Sequence, residues 1–170
     1  MTAHTDPQSS SHQIGYRGAI ACQAAGISYR QLDYWARTGL VVPSIREATG
    51  SGSARLYSFR DILVLKVIKR FLSAGVSLQN IRSAVDHLKA RGNEDLSSIT
   101  LMSDGASIYE CNNSDEVYDL LQGGQGVFGI AIGRVWNEVQ GDLVNLADEG
   151  LLLPTTGMDE LAQRRKARGA

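Results

Sequence analysis

Apolar residues recur at three- and four-residue steps along much of the chain, a spacing that predicts a mostly helical fold. Such a pattern begins at Tyr16 and predicts a first helix that ends at Gly26. Ser28 is a suitable N-cap for a second helix, which continues to about Arg37. Two short helices joined by a turn that contains glycine are typical of a helix-turn-helix.

The following segment predicts a hairpin and then two longer helices. Two β-prone pieces flank a polar, glycine-rich loop over residues 44–54, and a hairpin in this place is typical of the wing of a winged helix-turn-helix. Ser58, with Asp61 three residues later, predicts the start of a third helix. Ser77 caps a fourth helix, whose apolar stripe consists of Leu78, Ile81, Val85 and Leu88.

A polar break at residues 92–95 separates this part from a second, smaller one. Asp104 and Gly105 lie between two β-prone runs and predict a second hairpin. Ser114 is expected to cap a helix that Gly123 ends. Residues 127–132 fit either a strand or the start of a last helix, because short apolar runs have no decisive period. From Val135 onward the spacing favours a helix.

Charge differs strongly between the two parts, although the whole chain has a net charge of only −1. Residues 16–92 contain twelve basic and four acidic residues, whereas residues 99–153 contain one basic and nine acidic residues. A net charge of +8 in a short segment is typical of a surface that binds a polyanion. The acidic part would be repelled by the same nucleic acid, so we expect it to serve association or sensing.

Other classes of protein receive little support from the sequence. No apolar run approaches the roughly 20 residues that span a bilayer, and the first dozen residues have no signal-peptide pattern, so we expect a cytoplasmic, nucleoid-associated protein. Cys22 and Cys111 are expected to be packing residues, and His87 lacks a second ligand nearby. The glycine-rich residues 121–126 lack the lysine of a phosphate-binding loop. We therefore predict no enzymatic activity, no cofactor and no metal.

Several motifs follow one another in order: Ile27-Ser28-Tyr29-Arg30-Gln31-Leu32-Asp33-Tyr34-Trp35, Gly39-Leu40, Pro43, Arg55-Leu56-Tyr57-Ser58, Asp61 and Gly75-Val76-Ser77-Leu78. This set resembles the MerR family of bacterial transcription regulators. The acidic part is similar to that of actinobacterial MerR-like regulators implicated in growth or cell-division control. The resemblance implies a winged-helix domain whose second helix enters the major groove. It also implies promoter binding with distortion of the DNA, and RNA polymerase as a candidate partner. Asp33 stands where the family often has arginine, so the base preference is expected to differ.

Side-chain chemistry divides the candidate DNA contacts into two groups. Arg30 is the strongest candidate for a base contact, because a guanidinium can bind guanine with two hydrogen bonds, while Asp33 either accepts from cytosine or orients Arg30. The candidates at the second helix are Ser28, Tyr29, Arg30, Asp33 and Arg37. Those expected at phosphates are Tyr34, Arg46, Arg55 and Tyr57, with core packing as the alternative for each tyrosine. On the third helix, Lys66, Lys69 and Arg70 are expected on a solvated face, with direct DNA contact as the alternative.

These observations predict a mostly α protein with an N-terminal winged helix-turn-helix and a small α+β C-terminal dimerisation domain. The predicted parts are a disordered arm (1–15), the DNA-binding domain (16–92), the dimerisation or effector domain (97–153) and a disordered basic tail (154–170). The homodimer is expected to form through Val135, Trp136, Val139, Leu143 and Leu146 of the last helix. The main hypothesis is a transcription regulator that binds a palindromic operator in double-stranded promoter DNA. Two alternatives remain: an architectural or recombination accessory protein, and an interaction module whose DNA binding is incidental.

Overall fold

The structure is a computed structural model of the chain, and it describes residues 14–47, 54–91, 96, 98–117 and 128–148. The predicted arm up to residue 13, the tip of the wing, the polar break at 92–95, the glycine-rich run at 121–126 and the basic tail all lie outside the described residues. Within the described ranges, no helix is long and apolar enough to cross a membrane.

The described part of the N-terminal half contains four helices and a two-stranded sheet. Its elements are β1 (Tyr16–Arg17), α1 (Gly18–Ala25), α2 (Tyr29–Arg37), β2 (Leu56–Tyr57), α3 (Phe59–Ser73) and α4 (Leu78–Ala90). The hydroxyls of Ser28, Ser58 and Ser77 cap α2, α3 and α4, as predicted. Gly26 ends α1 at a φ of 71°, in the left-handed region that favours glycine.

The start of the first helix differs from the prediction. Tyr16 was expected to open this helix, but it lies in β1 and pairs with Tyr57 of β2, so that α1 begins at Gly18. The two ends of the predicted wing do meet, because Arg46 and Leu56 form an antiparallel bridge. In this bridge the N–H of Leu56 donates to the carbonyl of Arg46 at 2.8 Å. We call the bridged segments 44–47 and 54–57 the wing base.

The C-terminal half forms an antiparallel sheet followed by a long helix. Its elements are β3 (Thr100–Ser103), β4 (Ile108–Cys111), β5 (Phe128–Ala131) and α5 (Ile132–Asp148), and the strand order is β4-β3-β5. The hairpin predicted around Asp104 and Gly105 is confirmed. Residues 114–117 are helical, but Asn113 and not Ser114 caps them, by accepting the N–H of Glu116 at 2.9 Å. The run at residues 127–132 was expected to be either a strand or the start of a helix, and its described residues contain both. Phe128–Ala131 form β5, and Ile132 is the first residue of α5.

One hydrophobic core runs through both halves. α5 packs against α1 and α3, and its buried residues belong to the same cluster as Ile20, Leu65 and Phe71. Val139 is 0% and Leu143 is 5% exposed. The predicted boundary near residue 92 therefore does not coincide with a break in the core.

The apolar side of α5 does not form the predicted dimer surface. Val135, Val139 and Leu143 are buried within the chain, and Leu146 packs against the same core. Trp136 contacts Phe59 of α3, with ring centroids 4.6 Å apart. The prediction was wrong because the stripe is already covered by α1 and α3. An apolar stripe shows that a helix is buried, but it does not identify the surface that buries it.

Opposite charges line the contact between α3 and α5. The ammonium of Lys66 lies 2.7 Å from the carboxylate of Asp142, and Arg70 pairs with Glu138. We call these four residues the charged seam. The expectation of a solvated face was thus wrong for Lys66 and Arg70, which face the acidic helix. Much of the acidity of α5 therefore neutralises basic residues of the same chain.

Candidate nucleic-acid interface

α2 has one buried and one exposed side. Leu32 and Trp35 lie in the core, as expected for Trp35, because they recur at a three-residue step. The opposite side presents Tyr29, which is 65% exposed, together with exposed Arg30, Tyr34 and Arg37. The predicted contacts on this helix therefore lie on one continuous surface. We refer to α2 as the recognition helix.

Ser28 has a local role at the start of the recognition helix. Its hydroxyl accepts a hydrogen bond from the N–H of Gln31 at 3.2 Å, and the Gln31 side chain accepts the N–H of Ser28 at 3.1 Å. This reciprocal pair is a capping box. Ser28 thus fixes where the helix begins and is placed at its exposed end.

Asp33 connects the recognition helix to the wing base. One carboxylate oxygen lies 2.8 Å from Nη1 of Arg55, and the other lies 2.9 Å from Nε of Arg37. We call this arrangement the Asp33 bridge. Both carboxylate oxygens are therefore engaged by arginines. The two predicted roles of Asp33 were to accept from cytosine or to orient Arg30, and in this structure the side chain does neither. Instead it fixes the recognition helix relative to the wing base.

The Asp33 bridge predicts a measurable titration. The hydrogen bond from Arg55 holds the pKa of the Asp33 carboxyl below its ordinary value of 3.8, with a smaller contribution from Arg37. Because the charged form is favoured in the folded state, its contribution to stability is present at neutral pH and is lost as the pH falls through the lowered pKa. We expect carboxyl NMR to show the Asp33 pKa rising toward 3.8 in Arg55→Ala, and rising less in Arg37→Ala. An unchanged pKa in Arg55→Ala would contradict the bridge.

The remaining two predicted phosphate contacts differ in exposure. Arg46 is exposed, and its Nε donates to the carbonyl of Ala54 at 3.0 Å, across the wing base. Tyr57 is 0% exposed, so the prediction of a surface contact is corrected to its alternative, a place in the core. Burial raises the pKa of Tyr57 to about 12. Both residues of the two-residue strand β2 lie in the core, since Leu56 is only 7% exposed.

Two clefts were not predicted from the sequence. The first, with a volume of about 270 Å³, lies where α1 begins, beside the recognition helix and the wing base, and we call it the α1 groove. Its lining includes Gly18, Ala19, Tyr29, Asp33, Arg55 and Tyr57. The sequence signal that could have indicated it is Arg17, which stands directly before α1 where a capping side chain is usual.

The second cleft, of about 390 Å³, lies between α4 and the β3–β4 hairpin. Glu110 pairs there with Arg91, and its second oxygen lies 3.2 Å from Nε2 of His87. His87 is exposed, as expected, and Cys111 is buried at the end of β4, as expected of a packing residue. Among the described residues, no three histidine, cysteine or acidic side chains lie close enough together to hold a metal ion.

A short recognition helix with exposed cationic and aromatic side chains, fixed beside a hairpin base, defines a helix-turn-helix DNA-binding protein. Residues 16–88 match the MerR HTH family of regulatory proteins. Over 159 residues the chain is 62% identical to proteins described as uncharacterized HTH-type transcriptional regulators of Mycobacterium bovis and Mycobacterium tuberculosis. The match covers 91% of this chain and 70% of each relative. The chain belongs to the MerR family of DNA-binding transcriptional regulators, which confirms the prediction from its motifs.

Proposed function

We propose that the chain is a sequence-specific regulator that binds a palindromic promoter operator as a dimer and distorts it. The observation that carries the proposal is the Asp33 bridge, which holds the recognition helix and the wing base as one unit. A helix fixed in this way can enter the major groove while the wing follows the adjacent backbone. We further propose RNA polymerase at the same promoter as a partner. The proposed place of action is the nucleoid.

Arg30 has the central role in this proposal. It is exposed on the recognition helix, and it forms no ion pair with any other described residue. Its guanidinium is therefore available for the two acceptors that guanine presents in the major groove. Tyr34 and Arg46 are placed at phosphates, which set the register of the helix without reading sequence.

The proposed dimer requires a surface other than the apolar side of α5. A single recognition helix places only a few side chains on base edges, so two helices related by a two-fold axis are needed for a specific operator. We place the contact on the β3–β4 hairpin, residues 99–111. β4 is an edge strand of the described sheet, and an edge strand offers unpaired backbone groups to a second copy.

The proposal is tested by selecting duplexes from a random-sequence library with the full chain, followed by footprinting and sedimentation. We expect an inverted repeat with half-sites about one helical turn, or a multiple of it, apart, bound by a dimer. Enhanced cleavage at the centre of the footprint would report the distortion. Protection that extends along direct repeats would favour an architectural protein instead, and the absence of any enriched sequence would favour incidental DNA binding.

A further inference from the structure

The cleft between α4 and the β3–β4 hairpin keeps these two elements from packing closely along their length. Its volume is about 390 Å³, and its lining includes Leu88 of α4 and Leu101 and Ile108 of the hairpin. Elements in close-packed contact leave few spaces larger than a water molecule between them. The position of β4, the edge strand, therefore depends on the polar contacts that span this cleft.

Polar contacts span the cleft at both ends of α4. Near its start, the side-chain amide of Asn80 donates to the carbonyl of Ala106 in the hairpin turn. At its end, the C-cap residue Arg91 pairs with the carboxylate of Glu110 in β4. The Glu110 side chain is only 13% exposed, so water screens this pair less than a pair on an open surface. The pair therefore holds β4 against the end of α4.

The end of α4 is in turn tied to α3 by Arg60. The guanidinium of Arg60 donates to the carbonyls of Leu88 and Arg91. The last carbonyls of a helix lack partners within the helix and carry partial negative charge, so a cation is well placed there. We call the contacts that run from Arg60 through Arg91 to Glu110 the polar link.

The residue that follows Arg60 ties the same turn of α3 to the wing base. The carboxylate of Asp61 accepts the N–H of Ser44 at 2.8 Å and the hydroxyl of Ser44 at 2.7 Å. The first turn of α3 thus contacts the wing base through Asp61 and the end of α4 through Arg60. Together these contacts connect the edge strand β4 to the DNA-binding part of the chain.

We propose that Arg60 and Arg91 are positioning residues that set the separation of the two half-sites in the operator. In a dimer joined through the hairpin, the orientation of β4 relative to α3 fixes the distance and the angle between the two recognition helices. Arg60 and Arg91 hold this orientation through the polar link, without touching DNA. The inference rests on the proposed function, and it adds a determinant of operator geometry that lies outside the DNA-contacting surface.

The separation of the half-sites is a sensitive measure of this orientation. One added base pair moves a half-site by about 3.4 Å along the duplex and rotates it by about 35° around the axis. A dimer whose hairpins are held rigidly cannot follow both movements, so it prefers one separation. A dimer whose hairpins are loosened follows them at a lower cost, and it tolerates several separations.

The test measures the affinity of the full chain for the selected half-sites at the selected separation and at separations one and two base pairs longer or shorter. For the wild-type chain, we expect the selected separation to be bound about tenfold more tightly than the others. For Arg91→Met and for Arg60→Met, we expect this ratio to fall to about threefold or less. The ratio compares duplexes with one protein sample, so an inactive fraction of that sample cancels. Arg91→Lys keeps a cation beside Glu110 and should return the ratio toward the wild-type value.

Arg70→Met is the matched control. Arg70 also pairs with an acidic side chain, and it is exposed to a similar degree, 35% against 30% for Arg91. Its partner, Glu138, belongs to α5, so the loss of this pair leaves the polar link intact. We expect Arg70→Met to keep the wild-type ratio, whatever its effect on Tm.

The outcomes separate the inference from the proposed function. If Arg91→Met and Arg60→Met both keep the wild-type ratio, or if Arg70→Met lowers it as much, the positioning role is overturned while operator binding stands. The role is also overturned if the wild-type chain binds all separations equally, or if sedimentation shows that Arg91→Met is a monomer. If no inverted repeat is selected, or if the wild-type chain binds the operator as a monomer, the proposed function fails and the inference fails with it.

Discussion

Replacing Val139 and Leu143 together by aspartate is expected to unfold the whole chain. The two side chains are 0% and 5% exposed, in a core that α5 shares with α1 and α3. An unpaired carboxylate in such a place costs several kcal/mol, and two of them approach the total stability of about 5–15 kcal/mol of an ordinary domain. Circular dichroism should therefore show loss of helix, and amide exchange should show loss of protection across residues 16–91.

The matched control is Val144→Asp on the same helix. Val144 is 59% exposed, so the same kind of change should alter the free energy of unfolding by no more than about 0.5 kcal/mol. A double variant that became monomeric while residues 16–91 stayed folded would contradict the shared core. It would instead favour the interface that the sequence pattern predicts.

Arg30→Ala is expected to have the largest effect on DNA recognition. Loss of a guanidinium that binds a base edge costs about 1–3 kcal/mol per half-site and relaxes the preference at that position. Selection from randomised operators should show the loss of one preferred base in each half-site, and titration should show weaker binding to the wild-type operator. The fold should be unaffected, because Arg30 is exposed.

Two other arginines provide the comparison for Arg30→Ala. Arg46→Ala should weaken all sequences alike and reduce the salt slope by about one, because it removes a proposed backbone contact and leaves the Asp33 bridge intact. Arg134→Ala, at an exposed position of α5, should change neither property. Unchanged base preference in Arg30→Ala would refute its proposed role, whatever the affinity.

The helix starts and stops were predictable because their causes lie within a few residues. Ser28, Ser58 and Ser77 each accept an N–H three positions later, and Gly26 supplies the left-handed turn that ends α1. The same locality explains the hairpin at Gly105, whose φ is 92°. Secondary structure and the helix-turn-helix followed from signals of this kind.

The errors concern partners that are distant in sequence. Asp33 pairs with Arg55, 22 positions away, and no spacing rule connects the two. Lys66 pairs with Asp142, 76 positions away, so its polar character alone suggested solvent. Tyr16 lies in a strand of only two residues. So short a strand shows no alternation of apolar and polar residues that would separate it from the helical spacing that follows. The bounds and the exposed residues of the recognition helix could therefore be predicted from the sequence. The ion pair that links this helix to the wing base could not.

The charged seam has a consequence for how the protein meets DNA. Because Lys66 and Arg70 are neutralised by α5, they contribute little to the field at long range, whereas Arg30 and Arg46 remain exposed. Among the described residues, the recognition face therefore keeps exposed guanidinium groups, although the net charge of the whole chain is −1. Such a local positive field attracts the phosphates of a duplex and favours encounters in which this face approaches first. Salt should slow this association more than it hastens dissociation.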